Sequence, residues 1–77
     1  MFRNIEAEQA RKKLTNADVA EYLGISRGSY ERKKKNGYFT TIEAKLLIRL
    51  FDRPFEYLFE TDAEREAANV QVNQAPV

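Results

Sequence analysis

The segment TNADVAEYLGISRGSY, residues 15 to 30, constrains the chain more than any other, because it specifies two short helices and the corner that joins them. Thr15 precedes a run whose apolar members Ala17, Val19, Ala20 and Leu23 recur at helical spacing. Asp18, three residues on, completes a capping-box-like start in which hydroxyl and carboxylate satisfy each other's orphan backbone N–H groups. Gly24 ends this helix, since glycine enters the left-handed conformation without a Cβ penalty. Ser26 then supplies the N-cap of a second helix, whose Tyr30, with Ile25, is expected to fold inward against Val19, Ala20 and Leu23. Ala20 provides the small side chain that two steeply crossing helices need where they come closest. The layout is that of a helix-turn-helix.

The flanking segments also read as helices. Positions 4 to 13 hold strong helix formers without Gly or Pro, and Phe2, Ile5 and Ala10 are expected to face inward, with Leu14 closing the link. Thr40 and Glu43 make a second capping box, opening a helix with an apolar stripe of Ile42, Leu46, Leu47, Leu50 and Phe51. Pro54 suits the first turn of a short fifth helix carrying Phe55, Leu58 and Phe59. No period-two alternation persists outside Val70-Gln71-Val72. The reading is therefore an all-α, compact five-helix domain over residues 1–60, followed by a polar tail over 61–77. Ala63 to Ala68 could prolong a helix, whereas from Asn69 onward the composition predicts fraying or disorder.

At 77 residues, one small core is all the chain can support. A domain of this size buries roughly 60% of the surface its unfolded chain exposes. The sequence has no Cys and no His, which removes disulfides, thiol nucleophiles, the usual zinc ligands and the commonest general base. Only carboxylates, lysines and tyrosines are left for catalysis, and nothing gathers them at a concave site, so no enzyme and no cofactor are expected. No apolar stretch reaches the ~20 residues of a membrane span, and a cytoplasmic protein without membrane contact is expected.

The net charge of +1 conceals an uneven distribution. Residues 1–59 carry 12 of the 13 Lys and Arg but 8 of the 12 Asp and Glu, whereas residues 60–77 are acidic. Between positions 27 and 35, Arg27, Arg32, Lys33, Lys34 and Lys35 face only Glu31, so positive potential concentrates on the second helix of the pair. A lysine run alone reads as a solvated face; behind a helix-turn-helix corner it reads as a polyanion-binding one.

The string NIEAEQARKKLTNADVAEYLGISRGSYERK, followed by FTTIEAKLLIRLF and EYLFE, resembles the Cro/CI-type (XRE) helix-turn-helix regulators. Within them it is similar to the small Cro-like proteins of phages and prophages of Gram-positive bacteria. The likeness covers residues 3 to 60 and rests on the start of the first helix, Leu14-Thr15, Val19-Ala20, Leu23-Gly24-Ile25-Ser26, Phe39-Thr40 with Glu43, and Tyr57-Leu58-Phe59. It implies a lambda-repressor-like DNA-binding domain that regulates transcription as part of a genetic switch. Members of that family usually place a large apolar side chain near the end of the second helix of the pair, where this chain has Lys33, Lys34 and Lys35. That departure predicts a weakly anchored last turn. Glu8 falls on an inward face of the first helix, and a Glu8–Lys33 ion pair is expected to tie the two together.

With Tyr30 inward, the residues expected to read bases in the major groove are Arg27, Gly28, Ser29 and Arg32. Arg32 leads because a guanidinium can bond guanine O6 and N7 together. Asn16, Lys34, Lys35, Asn36, Tyr38 and Thr41 are expected to contact phosphates, which position without specifying. Phe39, Phe51, Phe55 and Phe59 are expected in the core. The partner expected is an operator in double-stranded DNA, bound by a possible homodimer. The alternative is a modulator or antirepressor of the same fold that acts on a partner repressor.

Overall fold

Side-chain caps fix the starts of three helices. The computed structural model describes residues 1–66 and contains α1 (Arg3–Arg11), α2 (Asn16–Leu23), α3 (Arg27–Asn36), α4 (Thr41–Phe51) and α5 (Phe55–Leu58). Residues 62–66 are also helical. Asn69 to Val77, for which fraying is expected, lie outside the described residues. The Thr15 hydroxyl accepts from the Asp18 N–H at 3.1 Å, and the Asp18 carboxylate accepts from the Thr15 N–H at 2.9 Å. Thr40 and Glu43 repeat the arrangement at the start of α4. Ser26 caps α3 through the Ser29 N–H. Gly24 ends α2 in the left-handed conformation at φ +76°, as its place before Ile25 predicts.

Among the described residues the chain is all-helical. Ile5, Val19, Tyr30, Leu47 and Leu58 are fully buried at the centre, and Phe2, Ala20, Leu23 and Phe51 close around them. α2 lies mainly against α3, while α5 joins α1 to α4. Phe59 holds one end of the molecule together: Phe2 meets it edge-on at 5.2 Å between centroids, Phe39 at 5.8 Å, and Phe55 stacks on it at 4.9 Å. Such pairs add about 0.5–1.5 kcal/mol each beyond area burial.

Several expectations from the sequence need correction. Ala10 and Ala17 are exposed, because α1 and α2 turn Ile5 with Glu8 and Val19 with Leu23 toward the core instead. Ile42 is 72% exposed. The capping box bends Glu43 back toward Thr40, and the inward line of α4 then runs Glu43, Leu47, Phe51, four residues apart, leaving Ile42 about 100° off that line. Phe55 is 52% exposed and lies on the outer side of Phe59 rather than in the core.

The proposed Glu8–Lys33 pair does not form. Glu8 is buried on α1, but its carboxylate accepts from the Tyr57 hydroxyl at 3.0 Å and lies 3.4 Å from Arg53 and 3.5 Å from Arg11. It therefore joins α1 to α5. Lys33 instead bonds both oxygens of Glu43, at 2.9 and 3.1 Å, joining α3 to α4. Nor is the last turn of α3 weakly held. Gly37 ends the helix at φ +84°, donating to the Lys33 carbonyl, and the Phe2 N–H donates to the Lys34 carbonyl at 3.2 Å. Buried Lys34 and partly buried Lys33, each with its ammonium group fixed by a carboxylate, take the place of the apolar anchor.

These carboxylates make the fold sensitive to acid. Burial alone would raise the Glu8 carboxyl, but the Tyr57 hydroxyl and the Arg11 and Arg53 guanidinium groups outweigh it and hold it below its ordinary 4.5. Burial likewise works against Glu43, and the Thr40 N–H and the Lys33 ammonium outweigh it. Asp18 is lowered from 3.8 by the Thr15 N–H and hydroxyl. Since each folded-state value is depressed, the folded chain binds fewer protons than the unfolded one. The stability they contribute is present above their unfolded values, 4.5 for the two glutamates and 3.8 for Asp18, and is lost as pH falls through the folded ones. Thermal melts are expected to give a constant midpoint from neutral pH down to about 5 and a falling one below 4.5, and Glu8→Gln to flatten that fall.

Candidate nucleic-acid interface

α3 presents two chemically distinct sides. Its inner side is Tyr30, whose ring is inaccessible to solvent and whose hydroxyl donates to Gln9 Oε1 at 2.7 Å. Burial foremost, then the nearby Glu6 carboxylate, pushes the Tyr30 hydroxyl far above its usual range, so it stays protonated and remains a donor. Its outer side carries Arg27, Gly28, Arg32, Lys35 and Asn36, all exposed, with Ser29 half-buried among them. Gly28 has open space where a Cβ would lie, so this first turn leaves room for close approach to its backbone. The Arg32 head group is steadied by a 3.3 Å bond from one guanidinium nitrogen to the Ser29 hydroxyl.

Most of the cationic charge counted in the sequence is answered locally. Arg27 Nε lies 3.4 Å from Glu31, Lys33 bonds Glu43, and Lys34 bonds Glu6. Arg32 and Lys35 have no carboxylate partner among the described residues, and they dominate the outward charge of α3. Arg32, Lys33, Asn36 and Tyr38 together line a shallow groove at the C-terminal half of the helix. Tyr38, 77% exposed, and Thr41, also exposed, extend the same side toward α4.

Lys34 corrects the sequence reading. It is 4% exposed, with its ammonium bonded to Glu6, 2.8 Å from Asn16 Oδ1, 3.4 Å from Gln9 Oε1, and 4.8 Å from the centre of the Tyr30 ring. It is an internal cation, not a rim contact, because it follows Tyr30 by four residues on the same helical face. Asn16 is also engaged. Its Oδ1 accepts from Lys34 and from Gln9 Nε2 at 2.9 Å, and its Nδ2 donates to Glu31 at 3.0 Å. The structure thus brings Arg32, Asn36 and Tyr38 to one groove with Ser29 bonded to Arg32, while Lys35 and Asn16 line a separate recess and Arg27 turns to Glu31.

Sequence reasoning missed the acidic members of this region. Glu31 bridges α3 to the start of α2, and its position four residues after Arg27 was the available signal. Glu6 and Gln9 carried no such signal, because their partners lie 28 and 21 residues away in the chain.

Comparison of the chain with family models, curated proteins and solved structures returns no match. The geometry stands by itself.

Proposed function

We propose that this chain is a sequence-specific regulator of transcription that binds double-stranded DNA and reads the major groove with α3. The observation that carries this reading is the division of α3. A fully buried Tyr30 holds the helix from behind, and Arg32, without an ion-pair partner among the described residues, projects from an exposed face beside open Gly28. That face suits hydrogen-bond readout of base edges, with Lys35, Asn36, Tyr38 and Thr41 arranged along its border for phosphates. The caps, the left-handed Gly24 and the order of the helices agree with the Cro/CI-type resemblance and its lambda-repressor-like domain. A non-catalytic, cytoplasmic protein acting on an operator as a symmetric dimer follows from the same reading.

Titration of mixed and selected duplexes at two salt concentrations tests it. Affinity is expected to fall steeply with salt, because each phosphate neutralised contributes about −0.9 to the slope of log K against log salt. Arg32→Ala is expected to remove sequence preference at a cost of about 1–3 kcal/mol, whereas Lys35→Ala weakens all sequences alike and reduces the slope by about 1. Unchanged preference in Arg32→Ala would refute the assignment of the reading face.

One observation favours a second reading, a modulator that docks on a partner repressor. Phe2, Phe39, Phe55 and Phe59 line a largely apolar groove of about 310 Å³ beyond the C-terminal end of α3, where Gly37 also borders it. Flat, weak dependence of DNA binding on salt would transfer the main role to that groove.

A further inference from the structure

Two donors assigned to the DNA side meet at a single carboxylate. Glu31 accepts from Asn16 Nδ2 at 3.0 Å and stands 3.4 Å from Arg27 Nε. Asn16 is not free to turn away, since Lys34 Nζ at 2.8 Å and Gln9 Nε2 at 2.9 Å both hold its Oδ1. Lys34 is in turn fixed by Glu6 on α1 and by its own burial. Asn16 and Glu31, with Met1, Glu6, Lys34 and Lys35, line one recess that opens between the start of α2 and α3, and the Glu6 charge there is already answered by Lys34. The Glu31 side chain retains 43% exposure, so its charge is felt by anything approaching that recess.

A phosphate entering there would have to displace the carboxylate from Asn16, one approaching Arg27 beside it would have to displace the same carboxylate, and both would meet a like charge. Arg32 is held by Ser29, not by Glu31, so the leading base-reading group is independent of this contact. We propose, resting on the DNA-binding reading above, that Glu31 is a specificity-determining residue that acts by suppressing sequence-independent binding. It neutralises Arg27 and occupies Asn16, which lowers affinity for any DNA backbone while leaving base readout by Arg32 intact. The ratio of operator to non-operator binding rises as a result.

Glu31→Gln tests the idea, because glutamine keeps an acceptor for Asn16 and removes only the charge. Binding of a mixed-sequence duplex at low salt is expected to tighten on the order of tenfold, with the salt slope steeper by about one unit as Arg27, expected from the sequence to read bases but paired with Glu31 instead, becomes available to a phosphate. Arg27→Gln alone is expected to weaken mixed-sequence binding, because it leaves the Glu31 charge uncompensated, and in combination with Glu31→Gln to return it to near the wild-type level; a purely structural role for Glu31 would move neither slope. If the wild type binds DNA and Glu31→Gln leaves affinity and slope unaltered or weakened, the role given to Glu31 is wrong. Silence of both proteins at low salt would overturn DNA binding itself and this role with it. A silent wild type beside a binding Glu31→Gln variant would support the suppression.

Discussion

Tyr30→Ala is expected to cost about 3–5 kcal/mol, the range for removing a large aromatic from a packed core, which for so small a domain approaches its entire stability. The ring is wholly enclosed and is the apolar side chain by which α3 enters the core, beside the polar ties of Lys33 and Lys34. Three further connections are lost with it: the hydroxyl's bond to Gln9, the contact with Phe39 at 6.1 Å, and the surface under the Lys34 ammonium. Urea denaturation followed by circular dichroism measures the loss. Tyr30→Phe separates ring from hydroxyl: it keeps the packing and leaves Gln9 Oε1 short of one donor, for which about 1–3 kcal/mol is expected. A folded Tyr30→Ala protein with stability near that of the wild type would show that α3 is held by its ends alone.

The second large effect is expected at Lys34. Removing one member of a buried ion pair costs ~3–5 kcal/mol when the survivor is left unsolvated. Here the survivor, Glu6, keeps 44% of its side-chain surface in water, which places Lys34→Ala at the lower end of that range. Gln9 and Asn16 lose a donor at the same time, and the buried stem leaves a void. Lys34→Met fills that void without the charge, and replacement of buried charges by apolar groups of like shape is often tolerated. Melting temperatures are therefore expected to rank wild type, then Lys34→Met, then Lys34→Ala. Equal losses in the two variants would mean that the charge, and not the packing of the stem, holds α3 to α1.

The parts of the fold that depend on near neighbours in the chain were legible in the sequence. Thr15 with Asp18, Thr40 with Glu43, Gly24 and Ser26 act within three residues of their partners, so their spacing alone announces the geometry. Tyr30 was legible because the corner on one side of it fixes the rotation of α3. What failed was the choice among consecutive residues on a helix, where one position is about 100° of rotation. Lys33 and Lys34 both follow Tyr30 closely, but one turns to Glu43 on α4 and the other to Glu6 on α1. Ile42 and Glu43 exchanged their expected places for the same reason, since a hydropathy pattern does not anticipate a carboxylate drawn inward by its own cap. In the candidate interface, Arg32, Lys35 and Gly28 were legible as outward positions. The compensation of Arg27 and the engagement of Asn16 were not, because both converge on Glu31 from separate elements.

Glu43 has a mechanical consequence. A single carboxylate serves the opening turn of α4 and the far end of α3, through the Thr40 N–H at 2.9 Å and Lys33 at 2.9 and 3.1 Å. The tilt of α3 and the angle at which α4 begins are therefore coupled through one side chain: a ligand that draws Lys33 away also removes a restraint on the opening turn of α4.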